Sequence, residues 1–323
     1  AMIADPALPN KILEGREHEV RPCMACNICL ARLFRDAELS CMVRPSLGRE
    51  RDPRYGFYGF PKAHKPRKIA IVGAGTAGMQ AGAIAAEKGH DVTLYDKLPH
   101  TGGQSEAASH GPWGDEEFMR LVKWLENECR THGAKFELGQ EVTKEKLEAM
   151  ETDEVIIATG AVPRAPDVPI DAGMKVVSCL DVLRGEAEVG ENVVILGGKG
   201  VGISTALFLL DQGGHKVSLV HDAKKIGLDV NPSYIWRYKS KLREGGCTSV
   251  TMSTVKEITA DGVVVMNKVM KEESTLACDT VVLADMASVD DLVGVVKGHY
   301  TIGDALFVRR GNSAILDGFR MGM

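Results

Sequence analysis

Four cysteines near the start of the chain are the residues best placed to do chemistry. Cys23-Met24-Ala25-Cys26-Asn27-Ile28-Cys29 sets three thiols at two-residue spacing on one tight loop. Cys41 then arrives from the far side of a helix-like run, Leu30–Leu39. Three thiolates facing a common point, closed by a distant fourth, supply the corners that a 4Fe–4S cubane requires. Structural zinc is the other reading of clustered cysteines, but it usually takes two C-x2-C pairs rather than a triplet. Cys129, Cys179, Cys247 and Cys278 are scattered singly, which makes a poor disulfide framework.

The second constellation is a glycine loop in context. Lys68-Ile69-Ala70-Ile71-Val72 reads as a short buried strand, and Gly73-Ala74-Gly75-Thr76-Ala77-Gly78 opens a helix running through Met79–Lys88. Asp91-Val92-Thr93-Leu94-Tyr95 follows as a second strand, with Asp96 and Lys97 at its end. Strand, G-x-G-x-x-G, helix, strand and acid form the dinucleotide fingerprint in its proper setting. Gly73 permits the tight turn, Gly75 lets a pyrophosphate approach the backbone, and Gly78 lets helix and strand close. The helix N-terminus then holds the phosphates, and Asp96 accepts from the adenosine ribose hydroxyls.

A second copy begins at Asn192: strand Val193–Leu196, turn Gly197-Gly198-Lys199-Gly200-Val201-Gly202, helix Ile203–Gln212 and strand Lys216–Val220. It admits two frames. With Gly197 and Gly202 as the outer glycines, Lys199 takes the central place. With Gly198 and Gly200 leading, Ile203 falls on the third. Either frame compromises one requirement of the fingerprint. Val220-His221-Asp222 offers an acid displaced from the spacing of the first copy, and Lys199 offers a cation for a phosphate.

The elements that position these groups follow from the pattern. At 323 residues the chain is long enough for about two domains. Its 44% hydrophobic and 26% charged content is that of an ordinary globular protein, and 35 glycines suit α/β units with tight strand-to-helix turns. A net charge of −5 argues against nucleic acid as a partner. No apolar run approaches the roughly 20 residues that span a bilayer. With no leader-like opening, the expectation is a cytoplasmic protein. A helix is expected from about Asp115 to His132, with Phe118, Leu121, Val122 and Leu125 on one face. Lys135–Leu138 and Val155–Ala158 read as strands, Thr248–Met252, Val255–Ile258 and Val263–Met266 as antiparallel excursions, and Val281–Ala284 and Tyr300–Ile302 as buried parallel strands. Tyr55, Phe57, Tyr58 and Phe60, in a loop rich in Pro, Gly, Arg and Lys, are expected to pack a domain seam. The single histidines read as structural, with His90 and His215 placed at helix ends to interact as cations with the dipole.

Several pieces in matching order carry a resemblance: Ile3-Ala4-Asp5-Pro6 with Pro9-Asn10-Lys11, Arg21-Pro22-Cys23 with the four cysteines, Gly73–Gly78, Gly102-Gly103-Gln104, Ala158-Thr159-Gly160, and Ile302-Gly303-Asp304-Ala305. Together they resemble the C-terminal half of the iron–sulfur flavoenzymes typified by trimethylamine dehydrogenase and 2,4-dienoyl-CoA reductase, relatives of old yellow enzyme. The resemblance implies a cysteine-rich 4Fe–4S segment followed by two Rossmann-like domains of glutathione-reductase type, the second inserted in the first. The implied division is 1–22 as the tail of a TIM barrel, 23–66 as cluster segment and linker, 67–165 plus 281–323 as the FAD or ADP domain, and 166–280 as an NAD(P)-binding-like domain. It also implies that Gly103 and Gln104 pass close to a flavin, that Ala158, Thr159 and Gly160 line the same site, and that Gly303 and Asp304 bind the ribityl chain.

A TIM barrel takes about 200 residues or more, and only 22 precede Cys23. The expectation is therefore one subunit of a split enzyme or a piece of a longer polypeptide, in an oligomer, with FMN and the substrate site on a barrel elsewhere. The leading functional reading is an electron relay, through the cluster, between FAD linked to NAD(P)H and that FMN barrel. The rival is a binding module in which ADP stiffens a scaffold that docks an electron-transfer flavoprotein. A disulfide reductase fits less well, because no C-x-x-C or C-x4-C lies beside Gln104.

Overall fold

The computed structural model describes residues 1–56, 59–111 and 116–323. It divides into two compact units: one holds residues 1–106, 117–161 and 288–323, the other 107–116 and 162–287. Each is built on a five-stranded sheet whose strands all run parallel.

In the first unit the strand order is His299–Thr301, Glu154–Ile157, Lys68–Val72, Asp91–Asp96, Lys135–Leu138. The Lys68–Val72 strand lies at the centre and is buried from Ile69 onward, as a strand covered on both faces must be. Helix Thr76–Glu87 follows it, built largely of alanine and glycine and buried through ten successive residues. Small residues are what allow this. A Cβ on Gly318 would collide with the Ala77 carbonyl, and one on Gly322 would meet Ala81 O at 2.8 Å, so helix Gly311–Gly322 lies backbone to backbone against it. The amphipathic helix Glu117–Thr131 closes the other side with Leu121, Val122, Trp124 and Leu125. Asp115, expected to start it, lies outside the described residues.

The N-terminal segment joins this core instead of standing apart. Ala4, Met24, Met42 and Val43 are buried with Ile71 and Leu125. Asp5 is the tie: its carboxylate accepts from Lys11 Nζ at 2.9 Å and from the backbone N–H groups of Arg21 and Ala7 at 2.8 and 3.0 Å. Burial acts to raise its pKa, but Lys11 and those N–H donors hold it below the ordinary carboxylate value. The Arg21 guanidinium stacks over Trp124 at 4.7 Å, and Trp124 Nε1 donates to Glu19 O.

In the second unit the order is Lys175–Ser178, Thr280–Leu283, Asn192–Leu196, Lys216–Val220, Thr248–Val250. A three-stranded antiparallel sheet, Ser253–Thr259, Gly262–Asn267 and Glu273–Ala277, is added to it in sequence. Three expected elements need correction. Thr248–Val250 is the edge of the parallel sheet, not an antiparallel excursion, because it pairs with Ser218–Val220. Thr280–Leu283 pairs with Asn192–Leu196, so the first unit resumes at Ser288 and not at residue 281. The helix-like run Leu30–Leu39 is a six-residue helix, Ile28–Leu33, ended by a turn in which Asp36 takes a positive φ.

Tyr55 and Phe60 pack inside the first unit, against Phe319 at ring separations of 5.9 and 6.0 Å. Phe57 and Tyr58 lie outside the described residues. His90 is not a helix-capping cation: burial, with Lys88 and Arg67 nearby, lowers its pKa, and its Nδ1 accepts the Arg67 N–H. His215 Nδ1 faces Gly190 O at 2.8 Å. Among the described residues no helix is long and apolar enough to cross a membrane.

Candidate functional site

The three fingerprint glycines of the first unit are required for three different steric reasons. Gly73 sits at φ +115, and any Cβ there would run into the Ala158 carbonyl. A Cβ on Gly78 would run into the Gly73 carbonyl. Gly75, in ordinary extended backbone at φ −77, faces open space. The first and last glycines therefore serve the fold, and the middle one keeps a surface clear for a ligand. Just beyond it, half-buried Thr76 and buried Ala77 form the first turn of the helix, whose N–H groups point into that clear space.

Three further segments converge on this loop. Gly102 N–H donates to Ala74 O at 3.0 Å, and Gly103, at φ +55, would bring a Cβ to 3.4 Å from Gly75 Cα. Ala158 N–H donates to Val72 O, Gly160 turns at φ +78, and Thr159 Oγ1 donates to Val289 O at 2.6 Å. Gly303, at φ +64, lies on Ala77 so closely that a Cβ would come to 2.9 Å from the alanine methyl. Gln104 Nε2 then donates to Asp304 Oδ2 at 3.3 Å, linking the first of these segments to the last. Residues spread over more than two hundred positions thus line one cradle at the carboxyl ends of parallel strands, where open α/β sheets bind ligands.

Asp96 stands beside this loop with both oxygens engaged, Oδ2 by Ala74 N–H at 2.8 Å and Oδ1 by Leu98 N–H at 2.9 Å. A carboxylate offers about four lone-pair sites, so capacity remains for a ribose hydroxyl. Lys97 is exposed next to it. Asp96→Ala removes an anchor of the glycine loop and, if Asp96 accepts from a ribose as its place after the second strand suggests, a nucleotide contact as well. At about 1.5–3 kcal/mol for a charged hydrogen bond, retention of a bound adenine nucleotide is expected to weaken roughly tenfold or more. Unchanged nucleotide content after extensive dialysis would contradict this role.

Asp304 is half-buried, and that burial raises its pKa, opposed by the Arg309 N–H and Gln104. The folded chain therefore holds this proton more tightly than the unfolded chain does. The resulting stability is full below the ordinary value of 3.8 and is lost as pH rises through the higher folded value. Asp304→Asn is neutral at every pH and is expected to flatten that loss. Denaturation midpoints of the nucleotide-free protein, followed upward from about pH 4, should fall less for the variant. Parallel profiles for variant and parent would rule the effect out.

The cysteine loop is wound by two left-handed residues, Ala25 at φ +46 and Asn27 at φ +51. Such alternation turns successive N–H groups inward, the concave nest that anionic iron–sulfur sites use. Cys26 and Cys41 lie half-buried against the core, Cys29 is half-buried, and Cys23 is exposed. Burial raises the thiols of Cys26 and Cys41. The N–H groups of Ile28, and of Val43 and Arg44, pull them back, and the neighbouring cysteines of the set raise them again. The four thiols are thus close enough to feel one another's charge. Among the described residues no three His, Cys, Asp or Glu side chains gather tightly enough for a single metal ion. The remaining cysteines differ in kind: burial pushes Cys179 up to about 12 and Cys247 and Cys278 to about 11, and holds Cys129 higher still. Neutral thiols make poor metal ligands.

The second unit settles which frame its glycine loop adopts. Gly197 (φ +126) crowds the Ala284 carbonyl as Gly73 crowds Ala158, and Gly202 crowds Gly197 as Gly78 crowds Gly73. Lys199 starts its helix at φ −80, ψ −178, where Gly75 has φ −77, ψ −177. The frame led by Gly198 is therefore not adopted, and Lys199 occupies the central position. Strand register settles the acid as well. Val72 pairs with Tyr95 and Leu196 with Val220, so the counterpart of Asp96 is His221. As Ala74 N–H donates to Asp96, Gly198 N–H donates to His221 Nδ1, at 3.3 Å. His221 is therefore not one of the merely structural histidines that isolated spacing suggests. The signal for it was its place immediately after the second strand.

Comparison with known proteins agrees with this geometry. Residues 67–287 match the family model of the pyridine nucleotide-disulphide oxidoreductases. A metal reductase of Desulforamulus reducens is 33% identical over 353 residues, covering 98% of this chain and 52% of that protein. An NADH oxidase of Thermoanaerobacter brockii is 34% identical over 332 residues, covering 99% and 50%. Among solved structures, a 2-naphthoyl-CoA reductase in complex with 2-naphthoyl-CoA superposes with a TM-score of 0.89 at 32% identity, over 99% of this chain and 49% of that one. The chain spans about half the length of these relatives. It belongs to the pyridine nucleotide-disulphide oxidoreductase family and corresponds to the C-terminal, nucleotide-binding half of the trimethylamine dehydrogenase and 2,4-dienoyl-CoA reductase flavoproteins.

Proposed function

We propose that this chain is the electron-transfer part of an iron–sulfur flavin oxidoreductase. In this reading Cys23, Cys26, Cys29 and Cys41 hold a 4Fe–4S cluster, the first unit holds FAD, and an FMN-bearing barrel supplied by the rest of the enzyme carries the substrate site. The observation that carries it is the convergence of Gly73–Gly78, Gly102-Gly103-Gln104, Ala158-Thr159-Gly160 and Gly303-Asp304 on one cradle. When bound, a cluster supplies one-electron transfer and a flavin both one- and two-electron chemistry.

The chain's own groups do the rest. The helix N-terminus at Thr76 and the bare backbone of Gly75 receive a diphosphate. Asp96 accepts from a ribose, and Asp304, oriented by Gln104, accepts from a polyol hydroxyl. Ile28, Val43 and Arg44 direct N–H groups at thiolate sulfurs, which favours a reduced, more negative cluster. The triplet spacing of Cys23, Cys26 and Cys29 with a distant Cys41 suits a cluster better than zinc, which usually takes two C-x2-C pairs. In this reading residues 23–66 serve the cluster, the first unit serves the nucleotide, and the second unit keeps an NAD(P)-binding-like fold.

A second reading stays close to this one: ADP in place of FAD, on a scaffold that passes electrons to an electron-transfer flavoprotein. The loss of the central glycine and of the acid in the second unit favours its claim that NAD(P)H plays no part. Metal, sulfide and nucleotide analysis of the purified chain tests both readings. Iron and sulfide in equal amounts with a visible flavin spectrum support the first. Iron and sulfide with colourless nucleotide support the second, and zinc without sulfide defeats both.

A further inference from the structure

The loop that covers the glycine turn is tied down by the same backbone hydrogen bond in the two units. In the first, Gly102 N–H donates to Ala74 O at 3.0 Å; in the second, Gly227 N–H donates to Gly198 O at 2.7 Å. Two residues further on stand Gln104 and Asp229. Gln104 donates to Asp304, and neither side chain accepts from the N–H of Thr76. Asp229 does the opposite. Both of its carboxylate oxygens accept from Gly200 N–H, each at 3.0 Å, at the first residue of helix Gly200–Gln212. Among the described residues no side chain accepts from Thr76 N–H, its counterpart in the first unit.

We propose that Asp229 holds the place of a diphosphate at the start of helix Gly200–Gln212, closing the second dinucleotide fold of this chain to NADH and NADPH. The helix start offers one set of N–H groups and one end of a dipole, and a carboxylate satisfies both. A diphosphate must displace that carboxylate and then lie beside a like charge. Two further substitutions act in the same sense. Lys199 puts a side chain where the pyrophosphate must touch bare backbone. His221, accepting the Gly198 N–H at Nδ1, carries its ring proton on Nε2 and so presents a donor where a ribose diol requires an acceptor. The neighbouring Asp222 is turned to Lys268 Nζ at 3.2 Å. Ile226, buried, and Gly227 fasten the loop that carries Asp229 over the turn. This deepens the reading above, since it decides that reducing equivalents do not pass through nicotinamide on this unit.

The test is a binding titration of NADH and of NADPH, each followed by its own fluorescence, on the full chain with its first site saturated by ADP. The parent is expected to show no saturation below about millimolar nucleotide. Asp229→Ala is expected to tighten binding about tenfold, the scale of one charge-assisted hydrogen bond. Asp229→Asn keeps the shape of the loop and can still cap the helix without the charge, so a smaller gain is expected from it, and it stands in if the alanine variant does not fold. Saturation of the parent at micromolar nucleotide would overturn the proposal, as would variants that bind no tighter than the parent. The readout is independent of iron and flavin content, so its failure is distinguishable from failure of the electron-transfer reading.

Discussion

Cys41→Ser is expected to strip the purified protein of nearly all its iron and labile sulfide. Cys41 is the one member of the set that does not sit on the Cys23–Cys29 loop, so no neighbouring thiol can replace it. Its backbone is fixed independently of any metal, because Met42 and Val43 are buried in the core of the first unit. The variant should therefore fold, and the loss should be one of ligation. The thiol is raised by burial and by its neighbouring cysteines, so it is neutral in the metal-free chain at neutral pH and must release a proton on binding. Iron retention should accordingly weaken as pH falls. Cys247→Ser and Cys278→Ala, on the other unit, should leave iron and sulfide at the parent level. Iron that survives in the Cys41 variant, or is lost in the two controls, would remove these four residues as the ligand set.

Gly75→Ala is the second large effect, and its value lies in separating folding from binding. The alanine methyl would meet nothing within 4 Å, and the backbone is at a φ that any residue adopts. Thermal stability of the nucleotide-free chain should fall by no more than about 1 kcal/mol, the scale of an unfavourable helix N-cap. A diphosphate needs that same space, so nucleotide retention should drop by about a hundredfold, close to 3 kcal/mol. Gly78→Ala should do the reverse, failing at the level of folding, because its methyl would collide with the Gly73 carbonyl. Normal nucleotide content in the Gly75 variant would show that the cradle is not where a diphosphate lies.

The interchange between Gly75 and Gly78 shows what spacing can convey. Both were legible as glycines of a fingerprint, and the role of each follows from local sterics alone: a helix starting at residue 76 brings its third residue against the carbonyl of the turn. The alternating strand and helix segments were legible for the same reason, since periodicity of burial is a local property. Contacts through space were not. Asp5, a single acid in a polar segment, gathers Lys11 and Arg21 only once the chain has folded back on itself.

What the sequence by itself determined is the chemistry on offer: four grouped thiols, two glycine turns, an acid after the first strand and a histidine followed by an acid after the second. Tertiary structure decided the assignments. It chose Lys199 over the alternative frame, because the Ala284 carbonyl leaves room for glycine only at 197. It chose His221 over Asp222, because parallel register aligns Leu196 with Val220 and leaves the next residue facing the turn. It kept Thr280–Leu283 in the second sheet, because hydrogen bonding to Asn192–Leu196 outweighs proximity in sequence to the last strand. It also set Asp229 on a helix start 29 positions away from it in sequence. Local spacing dictates which groups a turn can hold, whereas sheet register and loop packing dictate which of them meet.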